Sequence, residues 1–156
     1  ALRMNFFIRP IKVAFRLTGR LYRDTWDITS GTGELEAERY LFEGFRVAAR
    51  GRFYTQTEAL FWSDDYTGGE PQDGPRGQYW TGDRELSPLS SYLLGGRFIF
   101  KKTADQQKKF GKFLHSFETS FSFDVMKTSL KEFTWGGSKP DDTLALIGSL
   151  GVRAAF

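Results

Sequence analysis

Two-residue alternation constrains this chain more than any other feature. Successive side chains of a β-strand point to opposite faces, so apolar residues at every second position read as a strand with one apolar and one polar face. The closing stretch shows the pattern. Leu144, Leu146, Gly148, Leu150, Val152 and Ala154 share one face, and Ala145, Ser149, Gly151, Arg153 and Ala155 share the other, with Ile147 the one bulky exception. About seven such segments follow one another, with no helical periodicity between them.

The first segment, Leu2 to Ile8, is short and ends at a tight turn on Arg9-Pro10, where proline fixes its φ and offers no donor. The second runs from Ile11 to Tyr22, and the third from Thr29 to Phe42, ending at a turn on Glu43-Gly44. A fourth extends from Phe45 to about Phe61, and a polar, Gly-rich stretch from about Ser63 to Glu85 separates it from the fifth, Leu86 to Lys101. After a charged turn at 102–112, the sixth sets Phe113, Phe117, Phe121, Phe123 and Val125 against Ser116, Glu118, Ser120, Ser122 and Asp124. The reading is an all-β antiparallel fold in one domain, residues 1–156.

Composition narrows the class. No run of ~18 apolar residues exists, which excludes a transmembrane helix. The negative mean hydropathy leaves a membrane barrel open, because polar residues facing a lumen offset those facing lipid in any window. The absence of cysteine removes disulfides and thiol catalysis. A net charge of +3, with no basic helix or nucleic-acid motif, argues against a nucleic-acid partner.

Which face lies inside decides between two barrels. A soluble lipocalin-like carrier would turn its Phe-rich face inward, and a membrane barrel would turn it to lipid. Three features favour the second. Short turns alternate with longer loops. Several segments exceed the ~10 residues that cross the hydrocarbon. Aromatic residues gather towards the strand ends, as interfacial girdles do: Tyr22, Trp26, Phe61, Trp62, Tyr66, Tyr79, Trp80 and Trp135 at one rim, and Phe42, Phe45, Phe98, Phe100, Phe113 and Phe156 at the other.

The C-terminal strand adds a fourth signal. Ser149, Gly151, Ala154 and a terminal Phe156 resemble the β-signal read by the barrel assembly machinery, with Ala154 standing where a second aromatic is usual. The expectation is an antiparallel transmembrane β-barrel of the bacterial outer membrane. With Phe156 at the periplasmic rim, counting back puts Ala1 on the external side. Even strand numbers are the rule, so the parity implies the C-terminal part of a larger barrel with strands upstream. No signal peptide pattern is read, consistent with mature, processed or partial sequence.

The residues also carry a family resemblance. Leu21-Tyr22-Arg23-Asp24-Thr25-Trp26-Asp27-Ile28, Arg52-Phe53-Tyr54-Thr55-Gln56-Thr57, and Asp83-Arg84-Glu85-Leu86-Ser87 leading to Gly95-Gly96 resemble domain of unknown function 3570. The similarity covers roughly the first two thirds of the chain. It implies an outer-membrane barrel of several hundred residues and leaves the activity open.

Candidate site residues follow from the polar faces. Glu34, Glu36 and Glu38 form an acidic row between basic rows of Lys12, Arg16 and Arg20 on one side and Arg46, Arg50 and Arg52 on the other, with Glu58 further along. Hairpin pairing sets these rows side by side, as a structural ion-pair lattice or a charged constriction. Tyr66, Tyr79 and Trp80 mark an external loop able to meet glycan, lipopolysaccharide or protein. Catalysis is not expected: His115 falls on the apolar face, while Ser116 and Ser120 point the other way. No metal or cofactor is expected either, since Asp64-Asp65 and Asp141-Asp142 read as solvated loop acids. The expected role is a passage or scaffold embedded in outer-membrane lipid, with a solute channel as its specific form. The alternatives are an accessory barrel docking with envelope proteins and the soluble carrier.

Overall fold

The computed structural model describes residues 1–64, 81–103, 116–134 and 137–155. Seven antiparallel strands form one sheet in sequence order: β1 (Leu2–Ile8), β2 (Val13–Arg23), β3 (Thr29–Phe42), β4 (Phe45–Gln56), β5 (Leu89–Thr103), β6 (Ser116–Leu130) and β7 (Thr143–Ala155). The only helical element among the described residues is a 3₁₀ turn at Arg84–Leu86, capped by Asp83 accepting from Glu85 N at 3.0 Å. The expected all-β antiparallel fold is therefore present, as an open sheet with β1 and β7 at its edges.

Strand limits differ from expectation where local chemistry intervenes. Ile11 and Lys12 belong to the first turn, not to β2. Lys12 takes a left-handed φ of 52° and donates its N–H to Arg9 O at 3.2 Å, which closes the turn around Pro10. β4 ends at Gln56, short of Phe61, because the chain there leaves the ladder to form a cluster described below. β5 begins at Leu89 rather than Leu86, which the 3₁₀ turn absorbs. Phe113 and His115 lie outside the described residues.

The β3–β4 turn shows why glycine stands at position 44. Gly44 has a φ of +76° and its carbonyl accepts from Lys101 N at 2.6 Å, so the turn is stitched to β5. A Cβ at this position would run into Lys101 O, and the φ itself suits only glycine.

The ladders do not all end on the same rows. Val13, Arg39, Val47, Phe98, Phe121 and Leu150 form one cross-strand row. β1 and β2 stop on it, β4 reaches Phe45 opposite Phe100, and β5, β6 and β7 continue to Thr103, Ser116 and Ala155. At the other end β6–β7 stops at Thr128–Thr143, whose row passes through Ser91, Tyr54, Thr32 and Arg20, while β2–β3 runs on to Arg23–Thr29. From β2 to β5 the strand ends thus step past this row, while β5 and β6 pair over the same rows, Leu89–Leu130 to Thr103–Ser116.

Burial separates the two faces. The polar face holds Asp124, 2% exposed, and Ile99, 6% exposed. The apolar face holds Leu94 at 72% and Leu150 at 73% exposure. Among the described residues no second layer covers this sheet, so burial confined to one face points to strands that curl towards that face. The polar face is the concave one.

Candidate functional site

The register brings the charged rows together on the concave face. Arg16 lies opposite Glu36, and Glu36 lies opposite Arg50; Glu38 sits two residues along on β3, with Arg46 at the next row of β4. Arg16 Nη1 donates to Glu36 Oε1 at 3.3 Å, and Arg46 Nη1 donates to Glu38 Oε1 at 3.1 Å. Like-sign neighbours along a strand would repel; opposite-sign neighbours across strands offset this.

The strongest contact skips a strand. Arg50 on β4 donates from Nε to Asp124 Oδ1 at 2.8 Å and from Nη2 to Asp124 Oδ2 at 2.6 Å, a bidentate pair with β6. The intervening residue on β5 is Gly95, and a Cβ there would overlap the Asp124 carboxylate. Arg97 makes a second crossing in the other direction, reaching Glu36 at 3.6 Å and Glu38 at 3.9 Å. It passes over β4, where Ala48 occupies the row. Small residues on the middle strand are what let a long side chain bridge two strands away. Glu36, Ala48, Arg50, Arg97 and Ser122 enclose a cavity of about 70 Å³ beside these pairs.

The lattice differs from the expected one in its members. Arg16, Glu36, Glu38, Arg46 and Arg50 are in it. Arg20 and Arg52 are on the same face and exposed, and among the described residues neither approaches a carboxylate within 4 Å; Arg20 instead stacks on Tyr22 at 5.7 Å. Glu34 lies directly opposite Arg52 yet forms no ion pair among the described residues. Lys12 sits in the first turn and Glu58 beyond the end of β4, so neither belongs to the ladder rows. Asp124 and Arg97 join the lattice instead. Their partners lie two strands away, beyond hairpin reasoning. The available signal was the pair of small residues, Ala48 and Gly95, interrupting faces of long polar side chains.

Loops consolidate one end of the sheet. Ile28, Ala59, Trp62 and Phe133 are buried together, with Phe61, Leu86 and Leu130 packed against them. Trp62 is therefore part of a packed cluster, 8% exposed, and not an open rim aromatic. Asp24 builds the β2–β3 loop by accepting from Trp26 N at 2.9 Å and Ile28 N at 3.1 Å. Trp26 then meets Phe61 edge-on at 5.7 Å. The Tyr-Arg-Asp-x-Trp motif is thus a loop-forming device. Asp64 ties β4's outgoing segment to the β6–β7 loop, accepting from Thr134 N at 2.8 Å and Oγ1 at 2.5 Å. Gln56 Nε2 holds the incoming segment through Glu85 O and Ser87 O at 2.8 and 3.0 Å.

At the opposite end Phe42 stacks on Phe45 at 4.9 Å, and Phe45 on Phe98 at 6.4 Å. On β7, Ser149 and Gly151 sit on the concave face opposite Ser122 and Ser120, and Ala154 sits on the apolar face opposite Phe117. Phe156 lies outside the described residues, as do Tyr66, Tyr79, Trp80 and Trp135. Among the described residues no three His, Cys, Asp or Glu side chains gather in a way that could hold a metal ion. Asp64 is engaged with Thr134, and Asp142 accepts from Lys127 at 2.8 Å. Lys127 and the neighbouring Ser129 hold the Asp142 carboxyl below its usual range. No protein-family model, curated protein or solved structure matches the chain.

Proposed function

We propose that the sheet is part of an outer-membrane β-barrel whose apolar face meets lipid and whose concave, charged face lines the lumen. The observation that carries this reading is the inverted burial: Leu94 and Leu150 stand exposed on a mainly apolar face, whose charges include Arg39 and Lys127, while Asp124 is buried on the polar one. A soluble carrier would need the opposite, since large contiguous apolar surfaces are rare on soluble monomers. The stepping of strand ends from β2 to β5 supports the same reading, because a sheet closes into a barrel only when strands shift in register. The resemblance to domain of unknown function 3570 agrees with it.

Topology bears on the size of that barrel. β1 and β7 are both odd-numbered strands of an antiparallel meander, so the two edges run in the same direction. Antiparallel ladders throughout would take an odd number of further strands between them. This fits a barrel with more strands than these seven.

Within that barrel the proposed role is non-enzymatic passage of small solutes past the charged lattice. Planar bilayers seeded with detergent-extracted protein test it: discrete conductance steps support a passage. A closed membrane, with the protein extracted in stoichiometric assembly with other envelope proteins, would support the scaffold or docking role instead. The consolidated loop end, with Trp26, Phe61 and Leu60 partly exposed around the buried cluster, favours this second reading as a platform for a partner.

A further inference from the structure

Among the described residues the concave face is not charge-balanced. In the lattice four arginines, Arg16, Arg46, Arg50 and Arg97, close on three carboxylates, Glu36, Glu38 and Asp124. Outside it the same face carries Arg3, Arg20, Arg52, Lys101 and Arg153 against Glu34 and Glu118. Both counts lean the same way. The carboxylates are also the more sheltered partners: the side chains of Asp124 and Glu36 are 3% and 13% exposed, against 43% and 54% for those of Arg50 and Arg16.

Among the described residues, some of the charges without an ion-pair partner are grouped. Arg3, Thr18, Glu34 and Arg52 form one cross-strand row, and Arg20 lies on the next row towards the loop end. Arg3, Arg20 and Arg52 are all exposed, and Glu34 alone stands among them. Thr18 and Thr32 add hydroxyl donors between the arginines. Guanidinium groups present paired N–H donors that match carboxylate and phosphate oxygens, and their charge is retained at any working pH.

We infer that this face selects small anions bearing carboxylate or phosphate groups, with Arg20 and Arg52 as the selecting residues. The inference rests on the concave face being a lumen. A ring or patch of arginine in a narrow, water-filled passage concentrates anions and repels cations, as charged rings do in other pores. The paired lattice below fixes the geometry without contributing much net field, and the unpaired arginines supply the field.

The test uses the full protein extracted from membranes in mild detergent. In a bilayer with a tenfold KCl gradient, the reversal potential should show chloride favoured several-fold over potassium. Arg20→Ala with Arg52→Ala should move it towards zero, and Arg20→Lys with Arg52→Lys should restore it. Cation preference, or an anion preference that survives the alanine pair unchanged, would overturn the inference while leaving the passage standing. A bilayer that stays closed would instead count against the passage. In that case tripolyphosphate titration of the detergent-solubilised protein decides: saturable binding lost in the alanine pair and kept in the lysine pair upholds anion selection at this face, and no saturable binding overturns it.

Discussion

Arg50 on β4 and Asp124 on β6 are joined by two hydrogen bonds, of 2.8 and 2.6 Å, that pass over the bare backbone of Gly95. The pair staples three strands on the concave face. It depends on three residues at once: a long donor, a short acceptor and an absent side chain between them.

Gly95→Ala should therefore destabilise the sheet by about 1.5–3 kcal/mol, the range for lost hydrogen bonds to a charged group. Gly96→Ala is the control. Its Cβ would point to the other face, 3.7 Å from Ala48 O, which is ordinary contact. Alanine there should be neutral or gain about 0.5 kcal/mol from reduced backbone entropy. Urea unfolding of the two variants in detergent checks the contrast.

A double-mutant cycle on Arg50→Ala and Asp124→Ala should return a coupling of about 1–3 kcal/mol. The same cycle on Arg23 and Asp27, an exposed pair four residues apart, should return less than about 1 kcal/mol despite its 2.5 Å separation. Equal couplings would mean that the buried crossing contributes no more than a solvated surface pair.

Gly44→Ala should cost about 1–3 kcal/mol, because a left-handed φ is strained for alanine and the added carbon meets Lys101 O. The loss should be visible as a lowered unfolding midpoint, with no comparable effect from Gly33→Ala, whose Cβ would meet nothing within 4 Å.

Much of this architecture was legible in the sequence because its cause is local. Alternation in β3 placed it near Thr29 to Phe42, where the strand lies, and the faces of β7 emerged as read. Pro10 and Gly44 marked turns through fixed backbone preferences. The misses have a common origin in contacts between residues far apart. Phe61 continued the alternation of β4, yet the chain turned away to bury Ala59 and Trp62 against Ile28 and Phe133. Arg20, Arg52 and Glu34 had partners of the right sign next door, but cross-strand adjacency did not ensure an ion pair. Arg97 and Asp124 found partners two strands away, which depends on curvature and on small residues between them.

Replacing Leu94 with arginine should cost about 2–4 kcal/mol if that position lies near the bilayer midplane. On a water-exposed face the same change would fall within about 0.5 kcal/mol. Leu94 is 72% exposed in the isolated chain, so only the surrounding medium separates the two outcomes. Unfolding in lipid vesicles and in water-soluble form measures the difference.

Which face meets lipid is measured most directly by site-directed spin labelling, and these 156 residues contain no cysteine to compete. Single changes Leu94→Cys and Leu150→Cys on the apolar face, and Ser91→Cys and Ser122→Cys on the concave face, each take a nitroxide label in the full protein in native membranes. Collision rates with oxygen, which concentrates in lipid, and with a water-soluble nickel chelate then report the medium at each site. Oxygen access with little chelate access is expected at Leu94 and Leu150, and the reverse at Ser91 and Ser122. Chelate access at both leucines, or lipid access at the serines, would contradict it.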